Sequence, residues 1–302
     1  MEIAVLDLEW NGAYSRRLKG FINEIIEFGA VLVDENLNII DTFEALIRPQ
    51  VGKKISGKIS TLTSITDGDL QDGLQFMQAV SRFGKWARGA VIMTWGTSDV
   101  LALIENCRYF CGSGRVPFLD RYVDLQAYCE RMLHHGGGGQ QMGVSAAAAL
   151  LGIDENGFDH HRALGDSMLE LRCFQKVYTP ESLAAFVQDA GDAAFYDRME
   201  FRTVSVCDLH HPLIRPQDLA FFCEKCGRRA KRVGEWELHN KGFRAVFECR
   251  NCGIRFSGRV RFKLKYEGLV VTKKIRPCTE EKPGESGGRD APAKEPPCKN
   301  GP

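Results

Sequence analysis

Residues 3–9 read Ile3-Ala4-Val5-Leu6-Asp7-Leu8-Glu9: four apolar residues run into two carboxylates separated by a single leucine. A short apolar run rich in branched side chains reads as a strand buried in the middle of a sheet. Side chains two apart on a strand project from one face, roughly 6.5–7 Å apart. Asp7 and Glu9 therefore stand together. Unpartnered carboxylates are costly to bury, and a bound divalent cation is one of the few partners that reverses the sign of that cost. A solvated strand end accounts for an isolated pair equally well, so the rest of the chain decides what the pair is for.

Ile25 to Val33 and Leu37 to Ile47 are further β-branched-rich runs, and Asp34-Glu35-Asn36 between them has the composition of a hairpin turn. Three antiparallel strands open the fold. Residues 75–88 place Phe76, Val80, Phe83 and Ala87 at helical spacing, and Val91 to Trp95 reads as a buried strand. Ser98 is placed to cap a helix reaching about Cys111, Phe118 to Val123 suggests a fifth strand, and Leu125 to Leu133 a helix. Gly136 to Gly139 lacks the Lys-Ser/Thr ending of a phosphate-binding loop and reads as a flexible loop. Val144 to Leu151 is an Ala-rich helix, Asp154 to His161 a loop, and Arg162 to Tyr178 a long amphipathic helix with Pro180 beyond it. The order βββαβαβαα predicts an α/β unit over residues 1–180: a mixed five-stranded sheet with flanking helices. Residues 181–206 read as a helical connector, 207–276 as short strands around paired cysteines, and 277–302, almost devoid of apolar side chains, as a disordered tail.

A 302-residue chain that is 44% hydrophobic has room for one substantial domain and a smaller one. Its start carries acid where an export signal carries Lys or Arg, and no apolar run approaches the length that spans a bilayer, so a cytoplasmic protein away from membranes is expected. Eleven cysteines, an odd number, favour thiol or metal chemistry over a disulfide framework. The net charge of +1 conceals an asymmetry: residues 1–200 carry 18 basic and 27 acidic side chains, residues 201–302 carry 22 and 12. Between Cys223 and Arg276, sixteen basic residues face five acidic ones. That half suits a polyanionic partner.

Two more acids lie at the ends of predicted elements. Asp99, in Trp95-Gly96-Thr97-Ser98-Asp99, follows the fourth strand where a helix begins, and Asp166 follows His161 by five residues at the start of the last long helix. Each alone also fits a carboxylate favouring a helix N-terminus. All four acids with a histidine, in this order, resemble the DEDDh exonuclease superfamily, whose members include polymerase proofreading subunits, ribonuclease T and the exonucleases that trim small-RNA and histone-message 3′ ends. The resemblance covers roughly residues 2–178 and rests on Asp7-Leu8-Glu9, the second strand Asn23-Glu24-Ile25-Ile26-Glu27-Phe28-Gly29-Ala30, Asp99, and His161 with Asp166. The Trp95-Gly96-x-x-Asp99 form is most similar to the small-RNA-trimming branch. Arg162 stands where the sister class has a catalytic tyrosine, so the His class is the match. Two departures are Asn11, where many relatives have Thr, and Ser167, where Ala is frequent.

The resemblance implies a ribonuclease H-like fold and hydrolysis of phosphodiester bonds at the 3′ ends of single-stranded RNA or DNA. It implies two Mg²⁺ or Mn²⁺ ions, with Asp7, Glu9 and Asp166 as inner ligands and Asp99 on the second ion, directly or through water; hard oxygen donors suit these cations. His161 becomes the general base, imidazole being the side-chain type that titrates nearest working pH. His160 competes on residue type, and the five-residue step to Asp166 favours His161. Trp10 directly follows the metal strand and reads either as core or as a platform for the terminal base.

Cys223-x₂-Cys226-x₂₂-Cys249-x₂-Cys252 places two thiolate pairs on two turns, each followed by a glycine, Gly227 or Gly253, that permits a tight knuckle. This spacing is that of a Cys₄ site for one structural Zn²⁺, in a unit similar to a zinc ribbon. Cys207-x₂-His210 offers alternative ligands. Strand alternation can set Arg255, Arg259, Arg261, Lys263 and Lys265 on one face, with Phe256 and Phe262 on the other. Such a basic face grips phosphate without reading bases; a merely solvated face would look the same.

The sequence thus reads as a metal-dependent 3′–5′ exonuclease with a zinc ribbon, RNA being favoured over DNA on the Trp95-Gly96 resemblance alone. A DNA proofreading or repair exonuclease is the enzymatic alternative. A non-catalytic nucleic-acid-binding or regulatory module on the same scaffold is the other, and the intact acid set with His161 speaks against it.

Overall fold

The computed structural model describes residues 1–135 and 141–277. The loop expected over Gly136 to Gly139 and the tail expected from residue 277 onward, apart from Pro277 itself, lie outside the described residues. The chain divides into two compact units, Met1–Glu200 and Phe201–Pro302.

The first unit runs β1 (Ile3–Ser15), β2 (Gly20–Val33), β3 (Ile39–Leu46), α1 (Gly57–Thr63), α2 (Phe76–Trp86), β4 (Val91–Thr94), α3 (Ser98–Cys111), β5 (Arg121–Asp124), α4 (Leu125–Met132), α5 (Val144–Leu150), α6 (Ala163–Val177), α7 (Pro180–Ala184), β6 (Gln188–Asp189) and α8 (Ala193–Glu200). Its sheet has the order β3-β2-β1-β4-β5-β6. The first three strands are antiparallel neighbours, β4 and β5 run parallel to β1, and β6 closes the edge antiparallel. β1 is central and is covered on both faces. Ala4, Leu6 and Leu8 pack with Val80, Phe83, Val100 and Leu103, while Ile3 and Val5 pack with Leu125, Tyr128, Leu169 and Phe174. Burying each such aliphatic side chain contributes about 1.5–3 kcal/mol, so a one-residue slip that exchanged the two faces would be heavily penalised. The register therefore fixes Asp7 and Glu9 on the face that α6 covers.

Several features depart from the sequence expectation. β1 and β2 form a longer hairpin than foreseen, because polar positions that read as loop find partners. The Asn11 side-chain oxygen accepts from the Ser56 N–H at 2.9 Å, Glu24 accepts the N–H groups of Val51 and Gly52 at 2.7 and 2.8 Å, and the Asn106 side chain donates to the Asn23 carbonyl at 2.7 Å. Helix α1, capped by Ser56 Oγ accepting from the Ile59 N–H, falls in a stretch without an apolar period. Ser98 is the first residue of α3 rather than its cap; Thr97 holds that position without a side-chain cap bond. The expected separate connector over 181–206 is also revised. Ala190 and Phe195 are buried in the core of the first unit, and β6 extends its sheet, making six strands of the expected five.

The second unit contains β7 (Val204–Val206), β8 (Lys231–Leu238), β9 (Phe243–Glu248), β10 (Arg255–Lys265) and β11 (Gly268–Pro277), an antiparallel sheet of order β11-β10-β9-β8 with β7 also on β10. Phe221, Phe243, Phe247, Phe256 and Phe262 form most of its core. No helix among the described residues is long and apolar enough to cross a membrane.

Candidate active site

Asp7, Glu9 and Asp166 each offer a carboxylate oxygen, and these oxygens all lie within 4.8 Å of one another. The first two come from β1; the third is brought by α6. That helix can lie against the sheet because residue 29 is glycine: a Cβ there would come 2.0 Å from the Leu164 nitrogen. The Ser167 hydroxyl lies 2.8 Å from the Gly29 carbonyl, so the departure from Ala at this position adds a hydrogen-bonding tie at the docking point. Arg162, at the cap of α6, pairs with the fully buried Glu27 at 2.6 Å and with Glu44 at 3.0 Å, clamping the start of the helix onto β2 and β3. Glu27 also accepts the Ala163 N–H at 3.1 Å. Sequence reasoning had used Arg162 only to distinguish two enzyme classes.

Asp99 sits in the first turn of α3, buried, and its Oδ1 accepts the Leu8 N–H at 3.1 Å, tying the helix to the metal strand. The turn leading to it is held by the Gly96 carbonyl, which accepts from the Tyr122 hydroxyl at 2.6 Å, and by the Trp95 indole, which donates to the Met142 carbonyl at 2.9 Å. Asp99 is not within the close three-carboxylate group. It lines the same cavity of about 570 Å³ with Asp7, Asp166, Trp10, Trp95, Ser98, His160, His161 and Glu170.

His161 has a left-handed backbone, φ 61°, and its N–H donates to Asp166 Oδ2 at 3.0 Å. It also borders a neighbouring hollow formed by Gly57, Lys58, Thr61 and Leu62. The His160 ring also reaches the acids: Nδ1 is 3.9 Å from Asp166 and Nε2 is 3.5 Å from Glu155. Both histidines thus face the cavity. Glu170 was missed by sequence reasoning, although its place four residues after Asp166 on a helix puts the two on one face.

Burial drives the Asp7 carboxyl well above its ordinary range, and Asp99, Glu170, Asp166 and Glu9 push it further. Burial, then Asp166 and Glu27, raise Glu9 to about 8, with Arg162 pulling the other way. Asp99 is raised to about 7 by burial against the opposing pull of its own and the Leu8 backbone N–H groups. Negative charge is crowded here, and the donors are hard oxygens, so the residues fit Mg²⁺ or Mn²⁺. Stability should respond to pH accordingly. A carboxyl whose pKa is raised on folding binds more protons in the folded state, so its contribution falls as pH rises from its ordinary 4.5 to about 8 in the case of Glu9. Without divalent metal, the melting temperature of the first unit should fall across that window, less steeply in Asp7→Asn, and Mn²⁺ should raise it most at the alkaline end. A metal-free melting temperature equally pH-dependent in both proteins would contradict the crowding.

In the second unit Cys223, Cys226, Cys249 and Cys252 bring their sulfurs within 4.8 Å of one another, all as free thiols. The Cys226–Cys249 separation is 3.5 Å, near the edge of about 3.8 Å that tetrahedral Zn–S bonds require. Two matched knuckles make this geometry. The Gly227 N–H donates to the Cys223 carbonyl at 2.8 Å and the Gly253 N–H to that of Cys249 at 2.7 Å, with φ of 69° and 67°. The Cys252 and Asn251 N–H groups draw the Cys249 thiol down to about 7, toward the thiolate that binds metal. Cys207 and His210 are not in this group.

On β10 the expected alternation is present. Phe256, Val260 and Phe262 are buried, while Arg255, Arg261, Lys263 and Lys265 are exposed and Arg259 is partly so. Arg255 is neutralised by Glu248 at 2.9 Å. Arg259 donates to the His239 and Asn240 carbonyls, and Arg261 to that of Asn240. Across the sheet Arg259 stands opposite both Arg244 and Lys274. Such a like-charged row is unfavourable until an anion meets it.

The mixed sheet and its acid-lined cavity define a nuclease of the ribonuclease H-like kind. A family model described as exonuclease, RNase_T, matches residues 4–174. The chain belongs to this family of exonucleases. It is 26% identical over 181 residues to the probable 3′–5′ exonuclease KapD of Bacillus subtilis (strain 168), covering 58% of this chain and 83% of that protein. It is 32% identical over 105 residues to the PolC-type DNA polymerase III of Caldanaerobacter subterraneus subsp. tengcongensis, covering 35% of this chain and only 7% of the polymerase. Among solved structures, a 3′-exonuclease described in 3′-end specific recognition of a histone mRNA stem-loop superposes with a TM-score of 0.50 at 20% identity, over 62% of this chain and 84% of that one, which shows a shared fold.

Proposed function

We propose that this exonuclease depends on two Mg²⁺ or Mn²⁺ ions and removes nucleotides from the 3′ ends of single-stranded nucleic acid, RNA in preference to DNA. The observation that carries the reading is the convergence of Asp7, Glu9 and Asp166 oxygens within 4.8 Å, with Asp99 in the same cavity. Asp7, Glu9 and Asp166 hold one ion and Asp99 helps to hold the second. Two such ions supply activation of the attacking water and stabilisation of the leaving 3′ oxygen. His161 takes the proton of the attacking water, while Trp10 and Trp95 wall the cavity where the terminal base enters. The RNA preference is supported by Trp95 lining the cavity in its Trp-Gly-x-x-Asp setting; the likeness to part of a DNA polymerase favours DNA as the second reading. Sequencing the nucleic acid retained by an Asp7→Asn variant decides between them: mostly RNA supports the proposal, mostly DNA 3′ ends the alternative.

His161→Ala should lower turnover by about 10²–10⁴-fold, the usual contribution of a positioned base, and His160→Ala by much less. The opposite ranking would move the role to His160, whose Nδ1 lies 3.9 Å from Asp166.

The cysteine unit holds one structural Zn²⁺, and its sheet grips the phosphate backbone through Arg259, Arg261, Lys263 and Lys265, with Arg255 contributing less because of its pairing with Glu248. Changing Arg261 and Lys263 to Ala should weaken binding of unrelated sequences alike and reduce the salt slope by about 1 per lost phosphate contact. An unchanged slope would remove this face from the substrate path.

A further inference from the structure

Glu170 is a carboxylate for which the reaction described above has no task. It lies one turn beyond Asp166 on α6 and lines the same cavity. Only 2% of the residue is exposed, and its Oε2 has no hydrogen-bond partner among the described residues. A buried carboxylate oxygen without a donor is costly wherever it occurs. Here the surrounding charges are Asp99, Asp166 and Asp7, all of its own sign. A packing role would be served better by leucine or methionine, which α6 carries at Leu169, Leu171 and Met168. Glu170 also stands outside the group of Asp7, Glu9 and Asp166 whose oxygens lie within 4.8 Å of one another. That is the position of a group that reaches an ion through its hydration shell.

We propose that Glu170 is an outer carboxylate of the divalent-metal centre, accepting hydrogen bonds from the hydration water of the ion on the Asp99 side. The inference rests on reading the four acids as a metal centre. Burial, then Asp99 and Asp166, hold the Glu170 carboxyl well above its ordinary range while no cation is present. A bound cation and its polarised water supply the donors that the orphaned oxygen lacks. Groups in this role orient the ion and its water, and replacing them costs about 10–100-fold in metal affinity.

The test is titration calorimetry of Mn²⁺ into the full chain at neutral pH, for wild type, Glu170→Gln and Asp7→Asn, with melting measured in Mn²⁺-free buffer. The proposal expects Glu170→Gln to bind Mn²⁺ about 10–100-fold more weakly than wild type, with a metal-free melting temperature unchanged or raised. Glu170→Gln binding as tightly as wild type overturns it. If wild type itself takes up no Mn²⁺, or Asp7→Asn binds as wild type does, the underlying metal-centre reading fails first. Should the amide lower the melting temperature, Glu170→Met provides an apolar side chain of similar length. Weak Mn²⁺ binding in that variant supports the proposal, and wild-type binding overturns it.

Discussion

Replacing Asp7 by Asn is expected to cut 3′-end hydrolysis by at least about a thousandfold, because loss of a metal-held transition state removes several kcal/mol of stabilisation and each 1.4 kcal/mol is tenfold in rate. The substitution is nearly isosteric, and in the metal-free protein it removes one of several crowded negative charges. The fold should therefore melt at the same temperature or higher without metal, and Mn²⁺ should raise that temperature far less than in wild type. These two readouts separate lost chemistry from lost structure. Turnover close to wild type would take Asp7 out of the centre.

Replacing Cys223 by Ser, or extracting zinc with a thiol-competing chelator, is expected to unfold the second unit. Its apolar core consists largely of five phenylalanines, four on β9 and β10 and Phe221 outside the strands, and a single small core rarely supplies more than about 3–5 kcal/mol. A structural zinc contributes about 10–16 kcal/mol of binding free energy in comparable peptides, more than a small domain's whole stability. The signature is loss of near-ultraviolet circular dichroism from the second unit and rapid proteolysis after Phe201, with one zinc released per chain. The first unit has its own core and should keep its melting transition. A second unit that stays protected after all zinc has left would contradict the assignment.

The sequence made the central strand readable because Ile3 to Leu6 are apolar without interruption and both faces of β1 are covered. Asp99 and Asp166 were readable because they fall in the first turns of α3 and α6, and Asp7 and Glu9 because two carboxylates follow directly on the apolar run that opens β1. The knuckles were readable for a different reason: Cys-x₂-Cys followed by glycine encodes its own geometry.

What escaped the sequence depends on partners distant along the chain. The extension of β1 to Ser15 needs Ser56 and residues 51–52 to satisfy Asn11 and Glu24, and no local pattern announces that. The role of Arg162 at the cap of α6 needs Glu27, 135 residues away. Glu170 was visible in principle, one turn after Asp166, but a glutamate in an amphipathic helix is ordinarily solvent-facing, and its burial appears only when α6 meets β1. Arg255 shows the converse error. Alternation placed it correctly on the basic face, while its pairing with Glu248 arises from cross-strand register between β9 and β10.

The direction and metal dependence of cleavage test the metal-dependent 3′–5′ activity most directly. Single-stranded RNA and DNA of one sequence, labelled at the 5′ end or at the 3′ end, should be incubated with the full chain and Mn²⁺, with and without a chelator. The prediction is a ladder shortening one nucleotide at a time from 5′-labelled strands, immediate release of labelled mononucleotide from 3′-labelled ones, and no cleavage once the divalent metal is chelated. Degradation from the 5′ end, internal cuts, undiminished cleavage in chelator, or no shortening of any strand would contradict it.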